Sequence, residues 1–222
     1  MPKATAPRQT APAPLTTANL PPGASLVAAA GSRHLSVYSK PDAHRPFLVL
    51  SNKTEHGEPA TFLVKRTQGG WVQISLARRP NGSRGWVRRP DVRLLVDFYR
   101  VKIDLTAHKL TLFQHGKVAQ QIPIGVGKAL TPTPTGVYFI VELLKTPDPT
   151  GLYGPYAFGL SAYSTVLTHF GAGGKGEIGL HGTDHPELLG QDVSHGCIRI
   201  ANQNITRLSK ILPLGTPVEI AR

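Results

Sequence analysis

The chain holds a single cysteine, Cys197, within Ser194-His195-Gly196-Cys197-Ile198-Arg199. One histidine, His195, stands two residues before it. Another, His181, stands sixteen residues before it, in Ile178-Gly179-Leu180-His181-Gly182-Thr183-Asp184. A thiol attacks only as thiolate, and a nearby imidazole is the usual means of making one. The two segments therefore supply both reagents for acyl transfer. Gly196 allows close backbone approach and angles that other residues avoid. The successive amides of Gly196 and Cys197 are expected to point at a developing oxyanion, the charge that acyl transfer must stabilise. A lone cysteine is ordinarily a buried structural group, but His, Gly and Arg are poor company in an apolar core.

His181 and His195 compete for the role of base, and proximity in sequence does not decide between them. In a strand, His195 shares a face with Cys197 while strand geometry holds the two side chains apart. His181 ends an expected strand over 177–180 and would face the thiol from a neighbouring strand. A zinc site drawn from His181, Asp184, His185, His195 and Cys197 is the weaker reading. His181 and His185 span Gly182 and Pro186 rather than a regular helix. No metal is expected, and His185 is placed in solvent.

The elements that must position these groups are short strands. At 222 residues and 40% hydrophobic content, the chain suits one large domain or two small ones. Its 23 glycines and 20 prolines favour turns over long helices. It contains no run of 18 apolar residues, so no transmembrane helix is expected. One cysteine excludes an intrachain disulfide framework. Residues 1–22, rich in Pro, Ala and Thr, read as a flexible tether. No signal-peptide core follows Met1; the segment suits a mature exported protein lacking its signal or anchor, and a cytosolic linker would look alike.

Runs over 25–30, 35–38, 47–50, 60–66, 70–75 and 85–87 alternate with turn signals such as Gly69-Gly70 and Pro80-Asn81-Gly82, which predicts a small barrel over 23–96. Trp71 and Trp86 are assigned to its packing. From 97 to 222 a second domain is expected. Its strands run over 99–105, 109–113, 117–125, 136–144 and 216–221. A single helix over 204–212 has Asn202 or Asn204 as its cap and is ended by Pro213 and Gly215. The formal net charge of +12 is uneven: residues 1–100 carry 15 Lys and Arg against 5 acids, and residues 101–222 carry 10 against 8. This permits two readings of the first half, attraction to a polyanion or simple solubility.

His181-Gly182-Thr183, Gly190, Val193 to Ile200 and Asn202 together resemble the signature of the L,D-transpeptidase (YkuD-like) catalytic domain. Thr131-Pro132-Thr133-Pro134-Thr135-Gly136 and Ile124-Gly125-Val126-Gly127 resemble its early turn and the strand before it. The likeness covers about residues 98–221, and Ile200 stands where Leu or Met is more usual. Gly70-Trp71-Val72 and Gly85-Trp86-Val87 resemble segments of bacterial SH3-like domains. The resemblance implies a mostly β chain: an SH3-like barrel, then a YkuD-like β-sandwich with one helix after the cysteine. It implies a peptidoglycan enzyme in which Cys197 attacks the L-to-D bond of a tetrapeptide stem, releases D-alanine and passes the thioester to an acceptor amine as a 3→3 cross-link. Hydrolysis of wall peptides, as an L,D-carboxypeptidase or cysteine peptidase, is the alternative. His181 is then the acid/base. Ser194, His195, Gly196 and Gly182 shape the oxyanion and substrate side. Arg199 holds a substrate carboxylate or forms a structural salt bridge. Further implications are no cofactor, no nucleic-acid partner, covalent inhibition by carbapenems, an anionic-wall contact through the basic domain, and a place in the cell envelope.

Overall fold

Short alternating runs bounded by Gly, Pro and Asn become strands along most of the computed structural model, which describes residues 15–169 and 174–222. The first fourteen residues of the expected tether lie outside the described residues. Leu20, near its end, packs on the core that follows.

The first half contains β1 (Ser25–Ala30), β2 (His34–Val37), β3 (Leu48–Ser51), β4 (Thr61–Gln68), β5 (Trp71–Ser75), β6 (Arg84–Arg88) and β7 (Val92–Asp97). Five of these form an antiparallel sheet in the order β6-β5-β4-β1-β7, and β2 and β3 pair as a separate hairpin. A bridge between Tyr38 and Trp86 joins that hairpin's end to β6. Trp86 is buried and Trp71 half-buried, the latter donating from Nε1 to Asp42 Oδ1 at 3.2 Å.

The second half contains β8 (Tyr99–Asp104), β9 (Lys109–Gln114), β10 (Lys117–Pro123), β11 (Val126–Gly127), β12 (Gly136–Lys145), β13 (Tyr156–Tyr163), β14 (Glu177–His181), β15 (Asp192–Ser194), β16 (Ile198–Arg199), α1 (Asn202–Leu208) and β17 (Pro217–Ala221). Eight strands make one sheet in the order β10-β9-β8-β17-β12-β13-β14-β16, and β11 pairs with β15 alone. The chain is mostly β with one α-helix among the described residues.

The helix departs from its expected bounds. It begins at Asn202 and ends at Leu208, while Ile211 and Leu212 continue as turns. Ala201 is the cap, with no side-chain hydrogen bond. Asn202 is not a cap: its Oδ1 accepts the Thr183 N–H at 2.8 Å and ties the helix to the loop after β14. Strand β13 has no counterpart among the expected strands. Its small residues, Ala157, Gly159, Ser161 and Ala162, blur the alternation that marks a strand.

Two cores result. The larger gathers Val101, Ile103, Leu110, Phe158, Ile178, Leu180 and Ile205 with their neighbours. The smaller gathers Leu26, Leu35, Phe62, Val72 and Ile74, and it includes Phe139 from β12. Successive side chains of a strand point to opposite faces. Tyr138 and Ile140 accordingly enter the larger core, while Phe139 enters the smaller and Val141 packs against it. The halves are also tied by polar contacts. Asn81 exchanges two hydrogen bonds with the Tyr163 backbone, at 2.8 and 2.9 Å. Arg79 donates to the carbonyls of Ser164 at 2.6 Å and Leu167 at 2.9 Å.

Asp97 marks the passage between halves. Its buried carboxylate accepts from the Tyr99 N–H at 2.9 Å and from the Thr216 hydroxyl at 2.7 Å. Burial raises its pKa, and the two hydrogen bonds only partly offset this. Asp97→Ala takes the side-chain acceptor from the Tyr99 N–H, while the Thr216 hydroxyl can still donate to the Pro213 carbonyl at 2.8 Å, and is expected to cost about 1 kcal/mol in chemical denaturation. Because the folded pKa lies above the unfolded one, the ionised carboxylate costs stability at neutral pH. Wild type should therefore gain stability relative to Asp97→Asn as pH falls through the folded pKa toward the unfolded value of 3.8. A pH-independent difference between the two proteins would contradict this assignment.

Candidate active site

The site is built on β14. Ile178 and Leu180 are fully buried in the larger core. The pleat then sends Glu177, Gly179 and His181 to the opposite face. Strand β16 pairs with β14 in parallel, Leu180 opposite Ile198 and His181 opposite Arg199. This register sets Cys197, the residue before β16, beside Gly179. The Gly179 N–H donates to Cys197 Sγ at 3.4 Å. A Cβ placed on Gly179 would lie 3.7 Å from His181 Cδ2 and 3.9 Å from Cys197 Sγ. Imidazole and thiol thus converge over one glycine.

The turn bearing the thiol is fastened from several sides. Gly196 has φ 123°, a region that favours glycine, and a Cβ there would press on Ile178 Cδ1 at 3.0 Å. Buried Ser194 donates from Oγ to the Cys197 carbonyl at 2.6 Å and accepts the Gly196 N–H at 3.0 Å. Buried Thr133 donates to the Gly196 carbonyl at 2.8 Å and accepts the Gly127 N–H at 2.9 Å. Thr131 donates to the Ser194 carbonyl at 3.2 Å.

The expectation that both the Gly196 and Cys197 amides face an oxyanion needs correction. The Gly196 N–H is spent on Ser194 Oγ. The Cys197 N–H has no acceptor among the described residues.

His181 is 3% exposed. Its Nδ1 lies 2.6 Å from the Gly182 carbonyl oxygen. A carbonyl only accepts, so Nδ1 carries the hydrogen and Nε2 of the neutral ring is left as the base. The Tyr153 ring meets the imidazole edge-on at 4.8 Å between centroids. Burial, with the nearby Arg199 charge, lowers the His181 pKa to about 4, against the opposing pull of the Gly182 carbonyl and Asp184. Burial raises the Cys197 thiol, opposed in part by the Gly179 N–H and Arg199. At neutral pH the resting pair is therefore thiol and neutral imidazole rather than an ion pair.

The remaining sequence candidates separate. His195 is exposed at the turn. His185 is exposed too, with Nδ1 2.8 Å from Glu187 Oε1. Gly182 has no room for a side chain, since a Cβ would lie 2.9 Å from Gly154 Cα and closer still to Asn202 Oδ1. Arg199 makes no salt bridge with any carboxylate among the described residues, and its buried Nε has no hydrogen-bond partner. Among the described residues no three His, Cys, Asp or Glu side chains are grouped to hold a metal ion.

Gly179, Thr131, Thr133 and Tyr153 belong to the site and were not among the expected residues. Gly179 had a signal: apolar 178 and 180 imply that 177, 179 and 181 share the other face. Thr131 and Thr133 lie in the segment that resembles the family's early turn, but nothing local shows that Thr133 reaches the cysteine turn 63 residues away. Thr133→Val should leave the Gly196 carbonyl and the Gly127 N–H unpaired, costing about 2 kcal/mol. The expected readout is a lower midpoint of denaturation with faster alkylation of a loosened Cys197. An unchanged midpoint and alkylation rate would remove Thr133 from the support of the turn.

Known proteins are similar to parts of this chain. Residues 98–220 match the family model for the YkuD L,D-transpeptidase catalytic domain. A putative L,D-transpeptidase YkuD of Bacillus licheniformis is 37% identical over 122 residues, covering 55% of this chain and 65% of that protein. The chain thus spans slightly under two thirds of that relative's length. The catalytic domain of an Enterococcus faecium L,D-transpeptidase is similar at 25% identity and a TM-score of 0.41, over 55% of this chain and 96% of that domain. The L,D-transpeptidase LdtMt1, solved in complex with imipenem, is similar at 16% identity and a TM-score of 0.46, over 73% and 90% of the two chains. With the family model covering more than half of its length, and the thiol and imidazole both inside the matched segment, the chain belongs to the L,D-transpeptidase family.

Proposed function

We propose that the chain is a peptidoglycan L,D-transpeptidase with Cys197 as nucleophile and His181 as acid/base. The convergence of Cys197 Sγ and His181 over Gly179 carries this reading. In the proposed step the thiol proton passes to His181 Nε2 as sulfur attacks the carbonyl carbon of the L-to-D bond in a tetrapeptide stem. The Cys197 N–H, uncommitted among the described residues, is the donor assigned to the oxyanion. As the C–N bond breaks, His181 returns the proton to the departing D-alanine amine, leaving a thioester. An acceptor amine then attacks the thioester carbon, its proton passes to His181 Nε2 and on to the departing sulfur, and a 3→3 cross-link forms with the thiol restored. Water in the amine's place gives carboxypeptidase action from the same intermediate.

Arg199, with its unpaired Nε, is assigned to a stem carboxylate. Ser194, Gly196 and Gly182 hold the pocket's backbone, and His195 flanks its substrate side. Residues 97–222 form the proposed catalytic domain and 23–96 the proposed SH3-like domain. The basic charge of the latter supports a salt-sensitive contact with anionic wall. The proposed setting is the cell envelope, and carbapenems are the proposed covalent inhibitors.

Purified muropeptides with mass-spectrometric detection test the reading. Wild type should give cross-linked dimers and a D-alanine-free thioester on Cys197. Trimmed monomers alone would favour hydrolysis. Cys197→Ala should lose all turnover while remaining folded, and Cys197→Ser should lose nearly all. Wild-type turnover in Cys197→Ala would overturn the assignment.

The two histidines separate by pH. Acylation of wild type should fall as pH drops through about 4, where His181 takes its proton. His181→Ala should lose most of the rate and this acid limb with it. His195→Ala should keep the limb at a reduced rate. An acid limb that survives in His181→Ala and vanishes in His195→Ala would reassign the base.

A further inference from the structure

The sheet that places His181 lets go of the chain one residue later. The His181 carbonyl accepts the Ile200 N–H at 2.9 Å, and the Gly182 N–H donates to the Tyr156 carbonyl at 3.3 Å. The peptide unit between His181 and Gly182 is thus held on both sides. The next unit, Gly182–Thr183, lies beyond β14. Its carbonyl oxygen lies 2.6 Å from His181 Nδ1, and its N–H donates to Asn202 Oδ1 at 2.8 Å. Among the described residues these two side chains are its hydrogen-bond partners.

In a trans peptide the N–H and the C=O point in opposite directions, so a group that fixes one fixes the other. Half a turn of the Gly182–Thr183 unit would bring the Thr183 N–H round to Nδ1. Nδ1 would then have to accept, the ring hydrogen would sit on Nε2, and no lone pair would remain for the thiol proton. Gly182 has no Cβ to resist that rotation. Asn202 is seated to prevent it. It opens α1, the helix that follows the cysteine turn and β16. Its Oδ1 lies so close to Gly154 and Gly182 that a Cβ on either would collide with it. Gly154 follows Tyr153, whose ring packs edge-on against His181. One carboxamide therefore abuts both supports of the imidazole: the peptide that receives Nδ1–H and the segment that carries the ring.

We propose that Asn202 is a positioning residue for the base: its Oδ1 locks the Gly182–Thr183 peptide so that His181 carries its hydrogen on Nδ1 and keeps Nε2 bare for the Cys197 proton. This rests on the transpeptidase reading above, in which His181 is the acid/base. The two hydrogen bonds run in one direction, from Nδ1–H to the Gly182 carbonyl and from the same peptide's N–H to Asn202. Each strengthens the acceptor before it, which raises the basicity of Nε2. A side chain at this position needs an acceptor at the reach of Oδ1. A carboxylate supplies one, a serine hydroxyl falls one bond short, and a methyl group supplies none.

The test reads the tautomer directly. The full chain with isotope-labelled histidine is followed at neutral pH by proton–nitrogen correlation of the imidazole rings, the His181 signal being the one that His181→Ala lacks. Wild type should carry the hydrogen on Nδ1. Asn202→Ala should move a large share of it to Nε2 and slow acylation by a tetrapeptide stem about tenfold at unchanged KM, the bias of roughly one hydrogen bond. Asn202→Ser should behave alike and takes its place should Asn202→Ala not fold. Asn202→Asp should restore the Nδ1 tautomer and a rate within about threefold of wild type. Thr206→Val removes the hydroxyl that donates to the Asn202 carbonyl at 2.8 Å. It loosens the same helix without touching the carboxamide, and should leave tautomer and rate as in wild type. A wild-type tautomer in the truncated variant overturns the proposal, whatever its rate. So does failure of Asn202→Asp to restore Nδ1, or a shift in Thr206→Val as large as in Asn202→Ala, since either reduces Asn202 to a holder of the helix. The tautomer is read without substrate, so a wild type that releases no D-alanine counts against the transpeptidase reading alone.

Discussion

The site depends on the pleat of β14. Ile178 and Leu180 are fixed inward by the free energy of apolar burial, roughly 2 kcal/mol for each large aliphatic side chain. Their burial dictates that Gly179 and His181 face the other way. A slip of one residue would carry the imidazole into the core and an isoleucine to the thiol. The parallel pairing of β14 with β16 then does for Cys197 what the pleat does for His181. Neither His181 nor Cys197 depends on a distant loop for its place. Both take their positions from a hydrogen-bonded register whose cost of error is the loss of a core face.

A similar economy appears in β12. Its inward and outward residues serve two cores, Tyr138 and Ile140 on one side and Phe139 on the other. The first half of the chain therefore does not merely sit beside the second. Its core is closed by Phe139, from the sheet that also carries His181. Asn81 and Arg79 extend this by holding the backbone at the end of β13 and the start of the loop after it. Displacement of the first half would uncover Phe139 and remove one wall of the cavity between Leu48, Phe62, Gly159 and Glu177.

Much of this was legible in the sequence because it is written in local patterns. Strand runs in both halves, the cysteine turn and the strand ending at His181 all announce themselves through alternation and glycine placement. What escaped was non-local or unpatterned. Strand β13 hides because its outward face is closely covered, a Cβ on Gly159 lying 2.8 Å from Glu142 Cγ, so it needs small residues there, and those weaken the signal of alternation. Asn202 has the right chemistry for a cap but is drawn to the Thr183 N–H, since helix ends yield to tertiary partners. The Gly196 amide was expected to face substrate, yet a serine two residues away competes for it successfully, as short polar side chains do in turns. The support from Thr133 depends on a contact across 63 residues, which no local reading provides.

Burial of Cys197 and His181, the proposed catalytic pair, has a chemical consequence. A standing thiolate reacts with any electrophile or oxidant that reaches it, whereas a protonated thiol does not. Here burial raises the thiol and lowers the imidazole, so the proton rests on sulfur. Deprotonation must then accompany attack on a bound acyl group, which only a correctly aimed base can arrange. That requirement explains the attention given to one ring: Gly182 fixes its tautomer, Tyr153 packs against its edge, and β14 fixes its face. Arg199 lies close enough to oppose charge on the imidazole and favour it on sulfur. Its effect on both groups is of one sign, toward thiolate and away from imidazolium. A carboxylate on Arg199, as proposed for the substrate, would cancel part of that field. It would raise both pKa values together, so the balance between thiol with neutral imidazole and thiolate with imidazolium would change little, and the aim of the ring rather than the Arg199 charge is what governs the transfer.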